Sequence, residues 1–199
     1  MTEPIANQTI QAVAIGASAG AVDALLQVLS SLPKDYPLPL LIVVHLSPES
    51  ESPLASLLAD RCTIAVKEAE DKEPIRPGTA YLAPPNYHLL VEPELCLSLS
   101  NEEPVLFSRP SIDVMFESAA DAYGDALAGV VLTGGNADGA QGLQKIENAG
   151  GLALVQHPAS AAYPEMPRAA LAACPTARTL HLAELGTFLK EELPQLNRR

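Results

Sequence analysis

A chain of 199 residues with 48% hydrophobic and 18% charged side chains is composed like a globular protein, long enough for one filled core and short for two. Its formal net charge of −12 argues against a nucleic-acid partner or an anionic membrane surface, since both are held by clustered Lys and Arg. Solubility through self-repulsion is the ordinary consequence of such acidity.

Trp is absent and aromatics make up only 4%, so the core has to be built from Ala, Val, Leu and Ile, which suits a sheet covered by helices on both faces. The three cysteines, Cys62, Cys96 and Cys174, have no CxxC spacing and read as free thiols of a reducing compartment. The N-terminus has neither the basic nor the apolar region of a secretory signal, and no apolar run approaches the roughly 20 residues of a membrane span. These features predict a cytoplasmic protein, with residues 1–199 forming one domain whose core runs from about 9 to 195.

In chain order, Ile10 to Ile15 reads as a strand ending at Gly16, and Ala21 to Leu32 as a helix stopped by Pro33. Leu38 to Val44 is a second apolar run ending at His45, continuous as expected of a strand buried on both faces. Ser52 to Asp60 predicts a helix with Pro53 in its first turn. Thr63 to Val66 is a short extended piece. Thr79 to Ala83, His88 to Val91 and Cys96 to Leu99 read as small strands of a hairpin insertion, antiparallel to the main sheet.

Alternation then resumes. Ser111 is placed to cap a helix over Ile112 to Tyr123, with Val114, Met115 and Ala119 inward. Ala126 to Leu132 is an apolar strand running into the loop Thr133 to Gly139. Ala140 to Asn148 is a helix closed by Gly150 and Gly151, followed by a strand over Leu152 to Gln156. His157 to Pro167 reads as irregular, with helices over Arg168 to Ala173 and Leu182 to Leu193. Such alternation predicts an α/β fold: a doubly wound, mostly parallel sheet flanked by helices, plus the small antiparallel hairpin. Its working face lies at the carboxyl ends of the strands.

Three strand ends carry candidate chemistry. Gly16-Ala17-Ser18-Ala19-Gly20 fits G-x-S-x-G in strand–turn–helix context, which exposes a serine hydroxyl beside a helix N-terminus. The same turn also serves phosphate binding or close packing. His45 ends the next strand and is placed to take a proton from Ser18, although a lone histidine there is commonly a structural hydrogen-bonder. His157 is the main rival, also at a strand end, with His88 and His181 more remote. Asp138, in the glycine-rich loop, suits the orienting acid of a triad or equally a helix N-cap; Asp113, at a helix start, is the alternative acid. No metal-ligand spacing, P-loop or dinucleotide fingerprint is present. The order Ser, His, Asp differs from the Ser, acid, His order of α/β-hydrolases.

At these residues the chain resembles the catalytic domain of CheB, the protein-glutamate methylesterase of bacterial chemotaxis. The resemblance covers nearly the whole chain. It rests on Ala14-Ile15-Gly16-Ala17-Ser18-Ala19-Gly20, Val43-Val44-His45, Tyr81-Leu82-Ala83-Pro84 with His88-Leu89-Leu90, Arg109-Pro110-Ser111-Ile112-Asp113-Val114, Leu132-Thr133-Gly134 with Ala137-Asp138-Gly139-Ala140-Gln141-Gly142, and Met166-Pro167-Arg168. It implies a catalytic triad of Ser18, His45 and Asp138, with Ala19, Gly134, Gly135 and Asn136 around the oxyanion and substrate, and no metal or organic cofactor. The implied reaction is hydrolysis of glutamyl methyl esters on cytoplasmic chemoreceptor helices, with glutamine deamidation as a second activity.

The sequence departs from the family at two places. A receiver domain usually precedes this one, whereas here the esterase-like strand begins by about residue 10; that implies a stand-alone domain, with a response-regulator partner in trans as one route of control. Gly134-Gly135-Asn136 replaces the usual Gly-Met-Gly, and Ala19 replaces a threonine. Two other functions fit the same scaffold: a regulatory or binding module without catalysis, and a small-molecule carboxylesterase.

Overall fold

The structure is a computed structural model that describes residues 9–45 and 54–196. Its frame is a seven-stranded sheet, all parallel, in the order β3-β4-β2-β1-β7-β8-β9. The strands are β1 (Ala12–Ala17), β2 (Leu40–Val44), β3 (Ala65–Glu68), β4 (Thr79–Leu82), β7 (Leu127–Val131), β8 (Leu152–Gln156) and β9 (Arg178–Leu180). A separate antiparallel pair, β5 (His88–Val91) and β6 (Leu97–Ser100), forms the predicted hairpin. The three central strands are buried at every position, which accounts for their unbroken apolar runs.

Side-chain alternation along β1 divides the core into two layers. Val13, Ile15 and Ala17 face one, filled from α1 (Ala21–Leu29), α2 (Leu54–Arg61), α6 (Leu182–Thr187) and the C-terminal turns by Leu25, Leu58, Leu185 and Phe188. Ala12 and Ala14 face the other, filled from α3 (Ile112–Tyr123), α4 (Ala140–Asn148), α5 (Glu165–Ala173) and the hairpin by Phe116, Leu143, Met166 and Leu89. Small residues on β1 let the second helical layer approach the sheet closely without leaving voids.

Several boundaries differ from the sequence-based expectation. Residues 79–82 do not belong to the hairpin: they pair in parallel with β2 and β3 as part of the main sheet. The edge strand β9 has no counterpart among the expected elements, since its three residues are half-exposed and lack an apolar signature. Helix α5 begins at Glu165, with Pro167 inside its first turn, where a missing N–H costs nothing. Val114 is half-buried while Phe116 is fully buried. The C-terminal helix is broken into α6, a π-helical turn over Phe188–Glu192 and α7 (Leu193–Leu196). The start of the helix predicted from Ser52 lies outside the described residues. No helix among the described residues is long and apolar enough to cross a membrane.

The chain leaves β1 toward β2 on one side and later returns to lay β7 on the other. That reversal opens a crevice at the carboxyl ends of β1, β2 and β7, where ligands bind in sheets of this type.

Candidate active site

Ser18, His45 and Asp138 follow these three adjacent strands. Register keeps the strand ends level: Ala17 pairs with Val44 and Gly16 with Val131. The Ser18 N–H donates to Thr133 O at 2.9 Å, and the His45 N–H to Ala17 O at 3.2 Å. Ser18 O accepts from Ala21 N at 2.9 Å, which closes the turn into α1. Gly20 sits at φ 80°, the left-handed region that disfavours a side chain. A Cβ on Gly16 would collide with the Ile112 side chain, so glycine there admits the start of α3 against the site.

The Asp138 end is densely hydrogen-bonded. Asp138 Oδ2 accepts from His45 Nε2 and from the Ile112 N–H, both at 2.7 Å. Its Oδ1 accepts from Ser111 Oγ at 2.9 Å and from the Asp113 N–H at 3.0 Å. The carboxylate thus sits at the N-terminus of α3, in the field of amides that have no partner within the helix. Burial works against its charge, but the bonds from His45 and from the Asp113 and Ile112 amides outweigh that and hold it below the usual carboxylate range. Facing an ionised acceptor, His45 Nε2 carries the proton in the neutral ring and Nδ1 keeps a lone pair.

Asp113 is the counterpart. Its Oδ1 accepts from the N–H groups of Gly139 and Gly142, at 2.9 and 2.7 Å, at the start of α4. The two helix starts therefore exchange carboxylates: Asp138, in the loop just before α4, serves the N-terminus of α3, and Asp113 of α3 serves that of α4. Burial pushes the Asp113 carboxyl up to about 6. The sequence alone offers Asp113 as an alternative acid or a routine helix-start residue. In the structure its carboxylate braces the loop that carries Asp138, while the acid bonded to His45 is Asp138.

A cleft of about 310 Å³ opens on the site, lined by Ser18, His45, Phe107, Ser108, Arg109, Pro110 and Asn136. The Asn136 amide nitrogen stands 3.4 Å from His45 Nδ1, and its Oδ1 accepts from the Asp138 N–H at 3.2 Å. Of the positions expected around an oxyanion, Ala19 and Gly135 have N–H groups that donate to none of the described residues. Gly134 differs: its N–H is spent on Tyr163 O at 3.0 Å, which removes it as a donor to substrate.

The other histidines have structural contacts. His88 is buried, accepting at Nδ1 from the Ser111 N–H and donating from Nε2 to Glu103 O, each at 3.1 Å. His157 accepts from the Ala159 N–H and stacks on His181 with ring centroids 4.5 Å apart. Among the described residues, no group of three or more His, Cys, Asp or Glu side chains is placed to hold a metal ion.

A parallel α/β protein with its polar cleft at the switch point of the sheet is the class that fold and site define. The chain belongs to the CheB methylesterase family, which it matches over residues 13–189. It is 45% identical to a Leptospira interrogans protein named as a putative protein-glutamate methylesterase/protein-glutamine glutaminase, over 95% of this chain and 98% of that one. A Burkholderia lata protein named for the same two activities is 40% identical over 96% of this chain and 53% of its own length. Among solved structures, the Thermotoga maritima CheB methylesterase catalytic domain superposes with a TM-score of 0.86 at 28% identity, covering 91% of this chain and 97% of that one.

Proposed function

We propose that this CheB-family methylesterase works as a serine hydrolase on methyl-esterified glutamyl side chains of chemoreceptor-like proteins, with Ser18, His45 and Asp138 as its triad. The observation that carries the reading is the 2.7 Å contact between His45 Nε2 and a donor-saturated Asp138, in a cleft that His45 shares with Ser18. With Nε2 so engaged, Nδ1 is the nitrogen that serves Ser18 in this reading, and the Asn136 amide that approaches it at 3.4 Å gives way to the serine hydroxyl.

In the proposed reaction Ser18 Oγ attacks the ester carbonyl while His45 Nδ1 takes its proton. The oxyanion is met by the N–H groups of Ala19 and Gly135, near the positive end of α1. Collapse breaks the C–O bond to the methoxy group, which leaves as methanol with the proton from His45. Water, deprotonated by the same nitrogen, then cleaves the acyl-serine to give the glutamate carboxylate and free Ser18. A glutamine side chain passes through the same steps with ammonia as the leaving group. Asp138 stays ionised throughout and stabilises the imidazolium.

The test is methanol release from a protein bearing glutamyl methyl esters. The intact chain should release it, and Ser18→Ala should fall by at least about 10³-fold. Equal release by the two proteins would overturn the assignment.

A further inference from the structure

The mouth of the cleft carries a feature outside the Ser18, His45 and Asp138 set. Val105 and Ser108 form an antiparallel bridge with both backbone bonds made, at 3.1 and 2.8 Å. Leu106 and Phe107 are therefore the two central residues of a two-residue hairpin turn. Both have positive φ, 48° and 63°. Such turns favour Asn-Gly, because a side chain at these angles is strained. Here the positions hold large apolar residues, with Leu106 54% and Phe107 104% exposed.

Strain and apolar exposure together disfavour this tip in the isolated protein, yet its base is firmly staked. Buried His88 clasps Glu103 O and Ser111 N, one on each side of the turn. The Arg109 guanidinium donates from Nη1 to Asn101 O and Glu102 O, both at 2.9 Å. A turn disfavoured in itself and held by a rigid frame at a site is the pattern of a functional contact. Phe107 lines the same cleft as Ser18 and His45. That cleft, at about 310 Å³, lies at the small end of ligand sites and admits a side chain, so the remainder of a protein substrate has to rest on the rim.

We propose that the Leu106–Phe107 turn is a docking tip that packs on apolar side chains of the polypeptide flanking the esterified glutamate, so that the enzyme selects a protein-borne ester over a free one. The proposal rests on the methylesterase reading for its substrate, and exposed aromatics of this kind commonly anchor interfaces. A neutral ester among apolar neighbours also suits a chain of net charge −12, which would repel an acidic segment.

The test replaces the turn with the residues its backbone favours, Leu106→Asn with Phe107→Gly, and uses Phe107→Ser as a second variant. Binding of a fluorescent peptide bearing a glutamyl methyl ester between apolar residues is measured in a Ser18→Ala background, so that the result does not depend on catalysis. Kd should rise about tenfold or more in both variants, with a melting temperature equal to or above the parent's for the Asn-Gly turn. In the catalytically intact chain, kcat/KM for that peptide relative to N-acetylglutamate γ-methyl ester should drop by a similar factor, through KM. Unchanged Kd in both variants would overturn the tip, as would a change confined to self-association in sedimentation. Failure of methanol release to depend on Ser18 would instead count against the methylesterase chemistry, leaving the binding result to stand or fall by itself.

Discussion

The floor of the cleft and its mouth are built on opposite principles. At the floor, Asp138 is fully buried and accepts four hydrogen bonds, three of them from the start of one helix. At the mouth, Leu106 and Phe107 are exposed, apolar and at positive φ. Chemistry gains from a donor set that does not rearrange during reaction, whereas recognition of a protein surface gains from groups that are left uncovered until the partner arrives. Both regions hang on the same stretch: Ser111 donates from its hydroxyl to Asp138 and from its amide to His88. Helix α3 thus ties the rim to the acid.

The contrast is most sharply broken at the floor. Asp138→Asn keeps the size of the side chain but removes the charge that holds His45 in its Nε2–H tautomer, and kcat should fall about 10⁴-fold. Stability should fall too, by about 1–3 kcal/mol, as an amide cannot accept from all the donors gathered there. Steady-state methanol release and urea unfolding measure the two effects. A loss of activity under about tenfold would mean that Asp138 serves only as a cap for α3.

A smaller effect separates the two carboxylates. Asp113 titrates at about 6 in the folded chain against an ordinary value of 3.8, so the native state holds the extra proton between these values. Stability from this group therefore falls as pH rises from about 4 to about 6, by about 2 kcal/mol or less once solvent screening is allowed for. Asp138 has the opposite sign: its contribution is complete above the ordinary carboxylate value and is lost only as pH falls through its lowered one. Denaturant unfolding at pH values of about 4.5 and about 7, which bracket this titration, should show the Asp113 slope in the parent chain and not in Asp113→Asn, whose amide oxygen still accepts from Gly139 and Gly142. An equal slope in both proteins would contradict the upward shift that burial imposes on Asp113.

Much of the frame is legible in the sequence because the central strands are buried on both faces, and a continuous apolar run as short as Leu40–Val44, ended by a polar residue, is characteristic of such a strand. The residues Ser18, His45 and Asp138 stand out for the same reason, as polar groups placed at or just beyond the points where such runs stop. The edges are less legible. Half-exposed Arg178–Leu180 looks like loop, and Thr79–Leu82 looks like a hairpin arm until its parallel partners are known. Two site features have no local signature. Asp113 reads as an ordinary helix-start acid, since its partners lie 26 and 29 residues away at the start of α4. The Leu106–Phe107 turn carries neither the glycine nor the asparagine by which tight turns are recognised.

The central claim is that Ser18 is a nucleophile activated by a histidine whose other nitrogen is held by Asp138, and reaction with a fluorophosphonate followed by peptide mass spectrometry tests it most directly. One adduct per chain is predicted on Ser18, none in Ser18→Ala, and labelling slowed at least about 10²-fold in Asp138→Asn. An unlabelled native chain, or an adduct on another residue that forms equally fast in Asp138→Asn, would contradict it.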